Sequence, residues 1–333
     1  MSVFLTHQSA LAFWRWQREF DHRRPVPVKA ERYLGKEPTR AEVRDAARLA
    51  LPGGSEVHVA VPEGAARVNA QGIKYHRWSR ASCRGSYMRV GESVYVSSPE
   101  MLFLQMAGTL CVEHLIELGY ELCGAFCYSA VDGGRRSCEP VTTPSALAHF
   151  VGDATGAHGA VKARSAAVHV LAATRSPREV HSCMLLSLPC YLGGYGLREP
   201  EPNGLIVYDK AAFRRYRGGH LSCDLLWRDA RFAVEYESDE FHAGGEAYVA
   251  DSRRRNKLRS LGYDVVTLTN DEMKDPMAMD GLAKSVARAL EQRLRPAWGD
   301  YEDRKRRLRR LLLSPRARAD AAHLSFPASG WGL

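Results

Sequence analysis

The chain has no C-x-x-C pair among its eight cysteines, so the most specific spacing for a thiolate metal site is missing. The closest pair, Cys123 and Cys127, would share one face of a helix and could begin a metal site. The alternative is that the cysteines are small buried apolar side chains in a reducing compartment. No run approaches the roughly 18 apolar residues of a membrane span. The opening MSVFLTHQSALAFWRW has neither a basic start nor a small-residue cleavage site. These absences predict a cytoplasmic protein with no membrane partner. No internal repeat is present, and acidic residues are in deficit: Lys and Arg number 47 against 38 Asp and Glu, a net charge of +9. That imbalance points to a polyanionic partner, DNA or RNA first, unless it serves only solubility.

What is there suits an ordinary globular protein of two or three domains, since 333 residues with 45% hydrophobic side chains exceed one average core. Residues 1–50 read as mostly helical, with Ser9 as a possible N-cap and a second helical pattern from Thr39 to Leu51. VHVAVP (57–62) and GSYMRVGESVYVSS (85–98) alternate like strands, and PEMLFLQMAGTLCVEHLIELGYELCG reads as one long apolar helix. The glycine- and proline-containing stretch 131–144 reads as a loop, with helical pattern resuming over 145–174. The expected organisation is therefore an α+β domain over 1–130, a linker and helical connection over 131–174, a second domain over 175–295, and a basic helix and tail over 296–333. That last segment could lie on DNA phosphates or be a solvated terminal helix.

The second domain begins with SPREVHSCMLLSLP. Ser176 is placed to cap a helix, Pro177 stands at its first position, and Glu179 follows three residues after the cap. Three strand patterns follow: LIVYD (205–209), HLSCDLLW (220–227) and RFAVEYES (231–238). A charged helix, Tyr248 to Leu261, leads into YDVVTLT, and an amphipathic helix covers 279–294. Short consecutive strands form an antiparallel meander, while a helix before the last strand permits a parallel crossover. The expected fold class is α/β, with a mixed sheet flanked by helices.

Within CDLLWRDARFAVEYESDEFH (223–242), Asp224 and Glu235 stand near one another across a tight turn, and period-two alternation puts Glu237 on the same side of its strand as Glu235. Carboxylates so close repel one another unless a cation joins them, and an oxygen-only set suits Mg2+ or Mn2+. Alternatively each acid faces solvent, or pairs with Arg228, Arg231 or the arginine run 253–255.

The order Glu179, Asn203, Asp224, Glu235-x-Glu237, His242, then D-x-x-R-R-N-K-L-R-S-L-G-Y-D-V-V-T-L-T (251–269) resembles the PD-(D/E)xK restriction-endonuclease-like fold. The nearest resemblance is to its very-short-patch-repair-like group, domain of unknown function 559, over residues 174–295. The resemblance implies an αβββαβ core and Mg2+-dependent hydrolysis of DNA. It implies Asp224 and Glu235 as metal ligands, Glu179 completing the acidic cluster, Glu237 as a further catalytic acid and His242 as a proton donor or water-orienting group. Glu179 could equally be only a capping residue, and His242 only a loop histidine. Glu237-Ser238 departs from the group's usual Asp-Gly. On the helix that follows, Arg253, Arg254, Arg255, Lys257 and Arg259 can reach backbone phosphates, with some pairing to Asp251 or Asp264 instead. Residues 40–130 resemble, at core-type positions, the middle region of AbiEi-type antitoxins. That similarity implies a toxin–antitoxin or defence setting, with a partner protein bound through the N-terminal domain. Two functions follow as expectations: a metal-dependent endonuclease, or a nuclease-fold DNA-binding regulator without catalysis.

Overall fold

The computed structural model describes residues 2–21, 25–28, 37–51, 56–62, 64, 71–77, 85–207, 220–237, 245–294 and 299–314, with the side chains of 49–50 and 245–252 excepted. The chain is mixed α/β and divides into two compact units, the first running to Ala172 and the second from Ala173 to Ser314.

In the first unit, a six-stranded mixed sheet has the order β2-β5-β6-β1-β3-β4. Its strands are β1 Val3–Leu5, β2 Val26–Val28, β3 Val57–Val61, β4 Ile73–Arg77, β5 Tyr87–Arg89 and β6 Val94–Ser97. Helix α1 (His7–Phe20) follows β1 directly, and α2 (Arg40–Ala50) starts from a Thr39/Glu42 capping box. Two findings depart from expectation in this stretch. The first fifty residues contain β1 and β2 as well as helices, because Val3–Leu5 is fully buried as a central strand. Ser9 is not a cap; it sits inside α1, and its hydroxyl accepts the His58 amide at 2.8 Å.

The long apolar helix is two helices, α3 (Pro99–Met106) and α4 (Val112–Cys123). The chain breaks at Gly108-Thr109, residues of weak helical preference, and packs there against the His158 ring. Cys123 ends α4 and Cys127 lies in strand β7 (Phe126–Tyr128), so the two thiols do not share a helix face. Strand β7 pairs with β8 (Arg135–Ser137). Residues 131–172 are not a linker, since β8, α5 (Pro144–Asp153) and α6 (Ala160–Ala167) belong to the first unit and α5 and α6 pack against α3 and α4. A buried bidentate pair stitches this layer: Arg15 Nε and Nη2 each donate to Glu121 at 2.7 Å. Arg18 donates to the carbonyls of Glu121, Gly124 and Glu139, satisfying the C-terminal end of α4.

The second unit opens with α7 (Pro177–Ser187), whose amide at Glu179 is accepted by the Ser176 hydroxyl. Four strands follow in the sheet order β12-β11-β10-β9: β9 Glu201–Val207, β10 His220–Trp227, β11 Phe232–Glu237 and β12 Asp264–Thr269. The β9/β10 and β10/β11 pairs are antiparallel and β11/β12 is parallel, as the strand patterns and the intervening helix lead one to expect. Helix α8 (Gly245–Ser260) makes that crossover, and α9 (Asn270–Lys274) and α10 (Pro276–Ala289) follow β12. Leu258 of α8 closes a core with Ile206, Cys223, Leu226, Ala233 and Val265.

The basic helix α11 (Tyr301–Leu313) is neither a solvated tail nor a free cationic arm. It packs on α7 and on the 3-10 turn Cys190–Leu192, burying Leu308, Leu312 and Leu313. Lys305 bonds to Asp280, and Arg309 to the Tyr195 hydroxyl, so two of its cations are buried in the docking. Gly193 permits this approach. It sits at φ 91°, where a Cβ would stand 2.3 Å from the Arg304 carbonyl oxygen.

A carboxylate fork in the second unit

Strands β10 and β11 are paired from Trp227↔Phe232 to Leu225↔Val234. Beyond that point β10 stays on β9 as far as His220↔Val207, and β11 stays on β12 as far as Glu237↔Thr269. The two middle strands therefore diverge, and Asp224 and Glu235 are the first residues past the fork. The Asp224 carboxylate fills the gap, its Oδ2 accepting the Tyr236 amide at 2.8 Å. A side chain thus supplies the acceptor that a sheet would ordinarily provide.

Glu235 is 13% exposed, and its carboxylate receives the Arg254 guanidinium of α8 at 3.0 Å. The same Arg254 nitrogen donates to the Ser222 carbonyl, and the Cys223 thiol donates to Glu235. Ala233, Glu235 and Glu237 alternate along β11. Glu237 accordingly meets the same helix one residue on, taking Arg255 at 3.0 Å and the Thr267 hydroxyl at 3.4 Å. Of the two arginine readings, pairing wins for Arg254 and Arg255. Their acids are Glu235 and Glu237; the side chain of Asp251 lies outside the described residues. Arg253 and Arg259 are exposed, and Lys257 is half-buried.

Glu179 is buried in α7 and held from several sides. Its carboxylate accepts the Arg175 amide at 2.8 Å, the Ser176 hydroxyl at 2.9 Å and Asn203 Nδ2 at 2.5 Å. Asn203 stands within β9 at φ 49°, a left-handed conformation unusual in a strand. It also bonds to the Ala173 carbonyl. Strain of this kind, costing about 1 to 3 kcal/mol, persists where surrounding contacts over-determine it. Here it aims the Asn203 amide at Glu179.

The acids act on one another through Asp224. Burial, then repulsion from Asp224, pushes Glu235 up to about 7. Glu179 is raised by burial foremost, with Asp224 adding to it, and Asp224 is itself raised by burial. The Cys223 thiol, pushed up to about 12 by burial and Glu235, stays protonated. An oxygen-rich set of buried carboxylates pushed above their ordinary range is chemistry that a hard divalent cation relieves, and at Glu235 the Arg254 guanidinium already supplies a positive charge. The three-carboxylate set of Asp224, Glu235 and Glu179 is not gathered around one point. Among the described residues, the trio of potential ligands whose donor atoms all lie within 4.8 Å of one another is His7, His58 and His76, in the first unit. The reason is visible at Glu179, whose oxygens are already committed to Asn203, Ser176 and the Arg175 amide. His242 lies outside the described residues.

Sequence reasoning named Asn203 only as a marker in the order of residues and missed its hold on Glu179. It also missed the histidine trio, whose members are distant in sequence and carry no shared spacing.

Two uncharacterized proteins of Mycobacterium tuberculosis, MT2308 of strain CDC 1551 / Oshkosh and Rv2248 of strain ATCC 25618 / H37Rv, are each 38% identical to the chain over 76 residues, 22% of this chain. The match spans 27% of the length of these relatives. No protein-family profile and no solved structure matches the chain.

Proposed function

We propose that the chain is a metal-dependent endonuclease that hydrolyses phosphodiester bonds of DNA, built on a restriction-endonuclease-like αβββαβ core. The observation that carries this reading is the fork itself, where strand divergence leaves Asp224 and Glu235 together with raised proton affinities. Structural acids are ordinarily paired into lowered ones. The helix-three-strand-helix-strand order around that fork supports the same reading.

In this proposal Asp224 and Glu235 hold Mg2+ or Mn2+. The ion would supply charge stabilisation at the scissile phosphate and lower the pKa of a bound water. Asp224 stays aligned through the Tyr236 amide. Glu179 stands beside Asp224, anchored by Asn203. Glu237 is the acid nearest in chain to orient a water, and displacing Arg255 from it is the rearrangement this role requires. The defence or toxin–antitoxin setting, with a partner bound by the first unit, remains part of the proposal on the resemblance alone.

A specific observation favours a second reading. Arg254 and Arg255 already neutralise Glu235 and Glu237, so a nuclease-fold protein that binds DNA without cutting it would need no metal. Incubation with supercoiled, linear and single-stranded DNA, in Mg2+, Mn2+ or chelator, separates the two. The endonuclease reading expects nicked or linear products only with the cation. Retained DNA binding with no product under any condition would establish the regulator instead.

A further inference from the structure

The first unit brings together three histidines that the fork does not use. His7 opens α1, His58 lies in β3 and His76 in β4. In register, β3 and β4 are parallel with His58 opposite Lys74 and His76 opposite Ala60, so the two histidines sit diagonally across the strand pair. Their ring nitrogens, His58 Nδ1 and His76 Nε2, are 3.0 Å apart. The His7 ring stacks on His76 at 3.6 Å between centroids and lies 6.0 Å from the His58 ring. One nitrogen of each of the three falls within 4.8 Å of the other two.

We propose that His7, His58 and His76 form a binding site for a zinc-class divalent transition ion, with three imidazole ligands and one coordination position left for water or a small anion. Tetrahedral Zn2+ with bonds of about 2.0–2.1 Å places its ligand nitrogens roughly 3.3 Å apart. The His58–His76 separation is already close to that, and His7 need only turn its ring. Imidazole suits zinc, copper, nickel and iron, whereas the oxygen-only fork suits magnesium, so the two sites select different ions.

Two further features support the site. The outer nitrogens have orienting partners of the sort metal-bound histidines use: Glu56 stands 3.4 Å from His58 Nε2, and the Thr6 hydroxyl is 3.1 Å from His7 Nδ1. These assign His58 Nδ1 and His7 Nε2 as the inward donors. His7 also adopts φ 47°, a left-handed conformation imposed between a buried strand and a helix, with its amide donating to Gln105 Oε1. Burial, foremost, and neighbouring cations keep all three rings neutral: His7 is lowered to about 2, His58 and His76 to about 4. No proton then has to be displaced near neutral pH. Lys74, exposed on β4, is the cation that acts on all three rings.

The full chain, stripped with chelator, would be titrated with Co2+ and followed by its visible ligand-field absorption, then challenged with Zn2+. The site predicts one equivalent of Co2+ with the strong visible bands of tetrahedral nitrogen ligation, displaced by Zn2+. Affinity should fall by more than about 100-fold in His7→Gln and in His76→Gln, exceeding the 10- to 100-fold typical of losing an outer partner. Zinc-edge X-ray absorption of the wild-type protein needs no variant, and the site predicts a nitrogen shell with no sulfur. Absence of Co2+ binding, binding undiminished in the histidine variants, or a sulfur shell from the cysteines would overturn it.

Discussion

Glu235 sits at the point where the chemistry of the site conflicts with the stability of the fold. Its unfolded carboxyl titrates near 4.5 and its folded one near 7, so the native state binds the proton more tightly. Stability tied to this group is therefore fully present below about pH 4.5 and falls as pH rises towards 7. The loss is on the order of 3 kcal/mol, most of it from burial. Glu235→Gln removes the titration. Without divalent cation, thermal melts should show the variant roughly 1 to 3 kcal/mol more stable than wild type at pH 8, and little different at pH 4.5. A variant less stable at both values would mean that the Arg254 pair outweighs burial.

At the scale of elements, the sequence announced those parts whose local signals agree with their surroundings. HLSCDLLW became β10 residue for residue, and Ser176 caps α7, where Pro177 and Glu179 reinforce the signal that Ser9 carried alone. The strands β10 to β12 were legible because alternation, a tight turn and a helix-sized gap together dictate antiparallel then parallel pairing. What was hidden depends on long-range partners. Val3–Leu5 is too short to signal a strand until β3 and β6 flank it, and the docking of the basic helix on α7 through Leu308 and Leu312 has no local signal that names its partner. In the site, Asp224 and Glu235 were legible as an acidic pair, whereas the fork, the Asn203 clamp and the choice of Arg254 and Arg255 as partners follow from tertiary geometry alone. The Arg15–Glu121 pair belongs to this hidden class, being 4% exposed on both sides. Glu121→Gln leaves a buried guanidinium without its charge and should destabilise the first unit by about 3 to 5 kcal/mol. A lowered first transition in urea unfolding, with the second unit's transition unmoved, is the expected result.

On the scale of the whole molecule, the net charge of +9 is less available than composition suggests. Arg254, Arg255, Lys305 and Arg309 are all engaged internally. Among the described residues of α8, Arg253 and Arg259 are the exposed arginines. If the second unit binds duplex DNA through them, Arg253→Ala and Arg259→Ala should each reduce the slope of log affinity against log salt by about 1, equally on unrelated sequences. No described helix is long and apolar enough to cross a membrane. The two units also present chemically different candidate ion sites, oxygen at the fork and nitrogen in the histidine cluster, so metal content and DNA cleavage can be followed independently.

The most direct test of the central claim compares wild type with Asp224→Asn on one DNA substrate in Mn2+, measuring cleavage rate and DNA affinity in the same samples. Asp224 is held by the Tyr236 amide, a bond that asparagine's carbonyl can keep. The account predicts cleavage at least about 100-fold slower with affinity essentially unchanged. Cleavage by Asp224→Asn at the wild-type rate would contradict it.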